Sequence, residues 1–435
     1  MSGVITDNYL SNLLKDWKKP SGNAHPWLNQ LRTEALDCVS TLRMPLTSDE
    51  EWRFTNIASL TALPFHQAPS TPKLNRSNIE HFYLEDVATR LVFIDGQYAP
   101  QLSSDANESG VTVGNLSTLI DHHSSQIVSQ LGQHTDYKNN VFAALNTAFL
   151  KDSAVVIIPR NTTATAAIHL LFIATQAEVT SYPRCLLIAE PNSQATIIED
   201  YVAQQDLTYV TNSVTEVSLA DNAHINHIRV QRDSGHAFHM ADCSVSQARS
   251  SHYQSMSVAL GANISRLNLN IQLEDENAEC SVDGLALIKD RQLADTHTVI
   301  NHIKPHGTSR QLHKCIVGGE AHAVFNGRIM VRPHAQRTDS TQTNRNLLLT
   351  SKAQVNTKPQ LEIFADDVKC AHGATVGQLD PDEIFYLRSR GLSEIDARNL
   401  LTYAFGAEII DRIPVASLKK QLEQIVLKHT QRTAS

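Results

Sequence analysis

The chain has 435 residues, 41% of them hydrophobic, so it can bury a large core in about two or three domains or one elongated one. Its formal net charge of −8 predicts no affinity for nucleic acid or for an anionic membrane surface. Residues 1–20 lack the apolar core of a signal peptide, and apolar runs such as Ala154–Ile158 are too short to cross a bilayer. We therefore expect a cytoplasmic protein without a membrane partner.

Residues 1–80 are expected to form an N-terminal helical domain. Apolar residues recur at three- and four-residue spacing over Asp7–Lys18 and Trp27–Leu42, which predicts two helices. Ser48–Glu51 has the pattern of a capping box directly before Trp52, which predicts a third helix start.

Residues 85–150 are expected to form a hairpin and helices that lead into the next domain. Thr89–Tyr98 is predicted to be a hairpin with Asp95–Gly96, a pair typical of a hairpin turn, at its tip. Residues 115–150 have a helical pattern.

From residue 151 to residue 377 the pattern changes to short alternating apolar runs with polar turns. A submotif of polar residues, alanine and alternating apolar positions recurs at loose spacing, starting near the alanines at 195, 223, 278 and 321. Such runs over about 220 residues without a helix fit a β-solenoid. The pattern alone is also compatible with a β-sandwich.

Residues 378–435 return to a helical pattern and are expected to form a C-terminal domain. Asp380 is a predicted N-cap, and the helix that it starts should end at Gly391. Further helices are predicted from Ser393 and over Ser417–Lys428. Their apolar stripes must pack against the end of the solenoid, which needs a cap, or against another protein.

The most informative stretch for chemistry is Leu361–His372, which we interpret as one strand that ends at Gly373. Cys370 and His372 are two residues apart on it and should share a face with Asp366. A thiolate and an imidazole suit iron or zinc. One strand cannot complete a four-ligand site, so other ligands would come from another segment, a second chain or a bound cluster. The alternative is a buried thiol beside a hydrogen-bonded histidine.

Other chemistry-bearing residues are scattered. Six histidines precede this stretch, and together with Cys315 they would form a route for iron or sulfur if they lined one face of the solenoid; they are His297, His302, His306, His313, His322 and His334. Each is more typical of a surface or hydrogen-bonded residue. The polar run Gln336–Arg345 is compatible with a carbohydrate-binding or acid–base cleft, but stacked side chains between strands explain it more simply.

Several catalytic motifs are absent from the sequence. It contains no Walker A loop, GxGxxG, GxSxG or HExxH motif, and its six cysteines form no CxxC pair. We therefore expect a non-catalytic chain that binds no nucleotide, so that any step driven by ATP needs a partner.

The segment Ala365–Gly377, followed by Asp382–Gly391, resembles the C-terminal signature of the SufB/SufD family in its SufD form. This family belongs to the SUF iron–sulfur cluster assembly machinery. The similarity is dense from about Phe325 to Pro414, and Glu51–Thr55 also resembles a short motif of the family.

The resemblance implies a mainly β fold, a right-handed parallel β-helix with helical segments at both ends. It also implies a scaffold subunit that pairs with SufB through the β-helix and holds the ATPase SufC through its C-terminal helices. His372, in the family's C-x-H motif, would contribute to a transient iron–sulfur cluster shared with the partner, and Cys370 fits the same motif. Homodimers are a further expected state.

Two other functions are compatible with the pattern. A carbohydrate-active enzyme on a β-helix would need paired carboxylates in a groove and an export signal. A purely structural solenoid would have no metal role, and His372 would then be dispensable for cluster assembly.

Overall fold

The computed structural model of the protein describes residues 8–17, 25–68, 74–104 and 110–432. Most strands are arranged in two long sheets, and successive strands of the chain alternate between them. Almost all neighbouring strands are parallel, as in β10 (Val210–Leu219) and β12 (Phe238–Gln247). This arrangement is a β-solenoid of about eight turns with helices at both ends, as predicted. The parallel pairing excludes the antiparallel sandwich.

The strands of the described residues fall into two groups, those around the first turn and those of the coil. Around the first turn lie β1 (His66–Gln67), β2 (Val87–Ile94), β3 (Gln97–Tyr98), β4 (Thr112–Asn115), β5 (Ala154–Ile158), β6 (Ala167–Ala174) and β7 (Val179–Ser181). The coil continues with β8 (Arg184–Ala189), β9 (Gln194–Ala203), β10, β11 (His224–Arg232), β12, β13 (His252–Ala259), β14 (Ile264–Leu273), β15 (Glu279–Ile288), β16 (Leu293–His302), β17 (Thr308–Val317), β18 (His322–Val331), β19 (Asp339–Leu348), β20 (Gln354–Ile363) and β21 (Lys369–Gly377).

The helices lie before and after the coil. They are α1 (Asn8–Asp16), α2 (Pro26–Thr41), α3 (Ala58–Thr61), α4 (Arg76–Ile79), α5 (Leu116–Leu119), α6 (Ser124–Gln130), α7 (Val141–Ala148), α8 (Pro381–Ser389), α9 (Glu394–Ile410) and α10 (Ala416–Arg432), with 3₁₀ turns at Glu50–Trp52, Glu80–Phe82 and Pro100–Leu102. The predicted first helix is α1, and its predicted ends Asp7 and Lys18 lie outside the described residues. None of the helices described is long and apolar enough to cross a bilayer.

The coil turns its corners with residues in the left-handed backbone conformation. Asn161, Asn192 and Asn222 occupy equivalent corners of successive turns with φ of 58°, 58° and 57°. Asparagine tolerates this conformation better than most residues. The amide of Asn192 donates to Asn161 and that of Asn222 donates to Asn192, at 2.9 and 3.1 Å, so the corners also stack as a ladder.

The first turn is closed by antiparallel strands. β3 folds back on β2 through Asp95 and Gly96, both with positive φ, which confirms the predicted hairpin. β4 runs antiparallel to β5 at the end of the other sheet. α7 packs on the outer face of the sheet that contains β10 and β12, where Phe142 and Leu145 share a core with Val214 and Met240, and α2 packs on α7.

The Glu51–Thr55 motif attaches the N-terminal segment to this outer face. The Thr55 hydroxyl donates to the buried carboxylate of Asp295 at 2.6 Å, and Arg266 donates to the backbone carbonyl of Glu51 at 2.8 Å and to Asp295. His297 lies between Asp295 and Glu51, at 2.9 and 3.1 Å from their carboxylates. The motif therefore has a structural role in this chain.

The predicted capping box at Ser48 is wrong. Glu50–Trp52 is only a 3₁₀ turn, and no side chain caps it. The Asp49 carboxylate instead accepts a hydrogen bond from the backbone of Leu46 at 2.9 Å and pairs with Arg43 at 2.6 Å. A side chain that binds the preceding loop is not free to cap the following turn.

The C-terminal helices pack along the side of the coil. Ile409 of α9 with Leu418 and Val426 of α10 form one core with Leu285 and Ile316, which point outward from the sheet of β15 and β17. The expectation that these helices cap the end of the solenoid is therefore wrong. The sheet face covers part of their apolar surface, and none of the elements that the structure describes covers the end of the coil.

A buried lysine strengthens this attachment. Lys314 donates from Nζ to the backbone carbonyl of Phe405 at 2.9 Å, lies 4.4 Å from the centre of its ring and forms an ion pair with Glu408. Its side chain is only 4% exposed. Because a buried ammonium group needs such partners, the register between α9 and β17 is well specified.

Candidate functional site

The last turn of the coil, formed by β20 and β21 and called here the terminal turn, is exposed. Each of these strands is the last in its sheet, and within the described part of the chain no strand pairs with its outer edge. Most of its residues are half-buried or exposed, whereas inward-facing residues of earlier turns are buried. The side chains that point toward the coil axis here form an open surface that includes Val355, Pro359, Leu361, Ile363 and Val376.

Cys370 and His372 lie on this surface. In the parallel pairing of β19 and β21, Cys370 is opposite Ser340 and His372 is opposite Gln342. Ser340 and Gln342 are 1% and 0% exposed, so the shared column points into the coil. Cys370 is half-buried against Leu361 and Val368, and His372 is exposed. The predicted pair is therefore on one face, about 7 Å apart along the strand.

The prediction of a single strand over Leu361–His372 is wrong. β20 ends at Ile363, the chain turns over residues 364–368, and β21 starts at Lys369 in the other sheet and continues to Gly377. Asp366 lies in the turn, so the alternation that placed it beside Cys370 does not apply. Cys370 and His372 still lie on the same face, as predicted, because both belong to β21.

The two side chains differ in readiness to bind a metal. Burial, with a smaller contribution from the carboxylate of Asp339, raises the pKa of the Cys370 thiol. The thiol is therefore protonated at neutral pH and must lose its proton to become a ligand. The imidazole of His372 is exposed and accessible to a ligand on this surface.

The chain by itself does not complete a metal centre. Among the residues that the structure describes, no group of three or more His, Cys, Asp or Glu side chains is placed to hold a metal ion. Cys370 and His372 offer two donors, and most iron and zinc sites need about four. Any further ligands would have to come from outside the described residues.

The other predicted histidines do not gather at the terminal turn. His302, His313 and Cys315 point into the coil and are buried, but they lie on earlier strands. His297 belongs to the Glu51–Thr55 attachment. The remaining three are on the outer surface or at corners, and they are His306, His322 and His334.

The polar run before the site stacks inside the coil. Gln342, Asn344 and Asn346 of β19 all point inward and are at most 3% exposed. The Gln342 amide donates to Gln311 of the preceding turn at 2.8 Å, and Asn346 donates to the backbone of Thr375 at 3.0 Å. This confirms the interpretation of Gln336–Arg345 as stacked side chains.

Sequence reasoning missed the apolar part of the site. Val355, Leu361 and Ile363 alternate along β20 and would normally be taken as core residues. Their exposure follows only from the fact that no later turn covers them. A second exposed apolar group, Phe385 and Tyr386 on α8, is 72% and 56% exposed and follows β21 directly in the chain.

Known proteins resemble this chain along its whole length. The family model described as SUF system FeS cluster assembly, SufBD core domain, matches residues 172–405, and the SufBD protein N-terminal region matches residues 6–170. An iron–sulfur cluster assembly SufBD family protein of Synechocystis is 44% identical over 425 residues, covering 95% of this chain and 93% of that protein.

Two SufD proteins show the same full-length correspondence. The iron–sulfur cluster assembly protein SufD of Escherichia coli is 33% identical over 425 residues, 95% of each chain. The protein of the same description in Bacillus subtilis is 24% identical over 448 residues, 97% of each chain. Since the core model spans more than half of the chain and these relatives align from end to end, the chain belongs to the SufBD family of iron–sulfur cluster assembly proteins of the SUF system.

Proposed function

We propose that this chain is a non-catalytic scaffold subunit of the SUF machinery that pairs with SufB through its terminal turn. A nascent iron–sulfur cluster is the cargo at this seam. His372 binds it from this chain, Cys370 is the second donor, and SufB supplies the remaining ligands.

One observation carries the proposal. The coil is closed by antiparallel strands at its first turn, but at its last turn an apolar surface is exposed, together with two strand edges that no described strand pairs with. Exposed edges and apolar patches of this kind are typical of surfaces that pair with another chain. His372 and Cys370, the two donors predicted from sequence, lie within this surface.

The chemistry of the donors suits assembly followed by release. A site closed by four ligands of one chain holds its metal tightly, whereas two donors at a seam release their cargo when the subunits move apart. The raised pKa of the Cys370 thiol favours release further, because a proton competes with the metal for sulfur.

The C-terminal helices are the proposed docking site for the ATPase SufC. α9 and α10 are fixed to the coil through Lys314 and the core around Leu418, while Phe385 and Tyr386 on α8 are exposed. An exposed aromatic pair on a short helix is a common anchor for a protein partner. ATP turnover is expected in SufC and not in this chain.

A homodimer is a second proposed state. The terminal turn is a self-complementary candidate because free parallel edges and an apolar surface are available on every copy. Mixing with SufB should replace the homodimer if the heteromeric pair is the more stable one.

The proposal is tested by purifying the chain with SufB and SufC and measuring iron and acid-labile sulfide in the complex. His372→Ala should leave the complex intact and lower its iron and sulfide at least about tenfold, because about one metal–ligand bond of several kcal/mol is lost. The control is His122→Ala, since His122 is exposed and lies near the N-terminal helices. Unchanged iron and sulfide in the His372→Ala complex would show a purely structural role for the terminal turn.

A further inference from the structure

Two histidines and a glutamate form a column on the outer face of the sheet that contains β11, β13 and β15. In the parallel pairing of these strands, His224 is opposite His252, and His252 is opposite Glu279. The residues that follow the histidines, Ile225 and Tyr253, are 1% and 0% exposed inside the coil. Because successive side chains of a strand point to opposite faces, the column of His224, His252 and Glu279 points outward.

The two imidazole rings lie side by side and are accessible to solvent. Their centres are 5.7 Å apart, and their planes make an angle of 22°. His224 is exposed, and the side chain of His252 is 33% exposed. With a metal–nitrogen bond of about 2.1 Å, two imidazole rings on one tetrahedral ion have centres about 5 Å apart. Since the outer torsion of histidine is soft, both rings can turn a nitrogen toward an ion between them.

The surroundings of both rings suit metal binding. A carboxylate oxygen of Glu279 lies 3.4 Å from Nδ1 of His252. A carboxylate at Nδ1 favours the tautomer with its proton there and leaves the lone pair of Nε2 for a metal, as is common around protein metal ligands. No described residue forms a hydrogen bond with either ring nitrogen of His224. Partial burial and the neighbouring His252 lower the pKa of His224, so this ring is neutral at pH 7 and has no proton to lose.

The pair supplies two ligands and leaves the other positions of an ion to water. Glu279 acts on the ring of His252, which agrees with the lack of a three-ligand group in the described part of the chain. Imidazole ligands suit zinc, iron, nickel and copper, whereas magnesium and calcium prefer oxygen. β13 is four strand spacings from β21 in the same sheet, roughly 19 Å, so an ion at this pair does not reach His372.

We propose that His224 and His252 form a surface site that binds a divalent transition-metal ion reversibly, with Glu279 as the residue that positions His252. The site is a property of this chain alone and goes beyond the proposed role in cluster assembly. It depends neither on the pairing with SufB nor on His372, so the two proposals can fail separately.

The position of the site is tested with crystals of the chain soaked in zinc chloride. Anomalous diffraction at the zinc absorption edge should show a peak between the rings of His224 and His252, about 2.1 Å from one nitrogen of each. Zinc bound elsewhere in the crystal with no peak between these two rings would overturn the proposal.

The affinity is measured by isothermal titration with nickel chloride. All chains in this series carry His372→Ala, so that the terminal turn contributes no imidazole. His224→Ala, which removes one of two protein ligands, and Glu279→Ala, which removes the partner of a ligating histidine, should each weaken nickel binding at least about tenfold. Both side chains are exposed, so the variants should fold.

His236→Ala is the matched control. His236 is exposed and lies 3.6 Å from a carboxylate oxygen of Asp206, but it does not stack on a second imidazole among the described residues. This variant should bind nickel as its parent chain does. Equal affinity in His224→Ala and His236→Ala would mean an adventitious ion only and would overturn the proposal.

Discussion

Two histidines inside the coil are held in their neutral form. Burial lowers the pKa of His302 to about 4 and that of His313 to about 3. His302 Nε2 contacts the Ser309 hydroxyl at 2.9 Å, and no carboxylate contributes to its pKa. Protonating either ring in place would leave a buried cation, so acid should favour the unfolded chain.

The first prediction concerns this pH dependence. Because the folded pKa of His302 is below its unfolded value of about 6.5, its contribution to stability is complete above pH 6.5 and is lost as pH falls toward 4. The loss is about 3 kcal/mol over that window. The free energy of unfolding is measured with urea between pH 7 and pH 4. It should fall by about 3 kcal/mol less in His302→Gln than in the unaltered chain.

The control for this prediction is His122→Gln, which replaces an exposed histidine. It should follow the unaltered protein at every pH. A His302→Gln protein whose stability falls as steeply as that of the unaltered chain would contradict the assignment of the acid sensitivity to the interior of the coil.

At the same scale, the sequence predicted the relation of Cys370 to His372 but not their surroundings. Two residues apart on one strand share a face whatever the rest of the fold does. Whether that face points into the coil or outward depends on how β21 pairs with Ser340 and Gln342 of β19. This pairing joins segments about 30 residues apart, so local sequence does not reveal it. The turn over residues 364–368 was missed because Val368 and Lys369 continue the alternation of β20 across it.

At the scale of elements, local signals were reliable for the C-terminal helices but failed at Ser48. Asp380 caps α8 by accepting from the backbone of Asp382, and Ser393 caps α9 by accepting from Asp396, as predicted. Gly391 ends the first of these helices with φ of 97°. What each helix packs against was not predicted correctly, because an apolar stripe does not specify which surface covers it. The boundaries of the four predicted domains stay a prediction.

The prediction for α8 is that it anchors SufC. Phe385→Asp should weaken the capture of SufC at least about tenfold, since removing a central aromatic anchor typically costs more than about 1–2 kcal/mol. The fold should be retained because the ring is 72% exposed. Binding is measured by titration of purified SufC.

Leu46→Asp is the matched control, because Leu46 is also exposed, at 56%, and belongs to the N-terminal segment. It should bind SufC as the unaltered chain does. Full affinity in Phe385→Asp would exclude α8 as the anchor, while SufB pairing in the same variant reports whether the terminal turn is intact.

At the scale of the whole molecule, the coil is asymmetric. Its first turn is covered by β3, β4 and the N-terminal helices, its sides by α2, α7, α9 and α10, and its last turn by none of the described elements. The sequence predicted the solenoid through its alternating runs and the family resemblance. It did not predict the open end, since uncovered strands have the same pattern as covered ones.

The most direct test of this account is amide hydrogen exchange of the chain with and without SufB. The account predicts slower exchange over residues 354–363 and 369–377, where free strand edges gain partners, and unchanged exchange in β10 and β12, which are already paired on both sides. Protection that appears elsewhere while the terminal turn exchanges as fast as before would contradict the claim that SufB binds the open end of the coil.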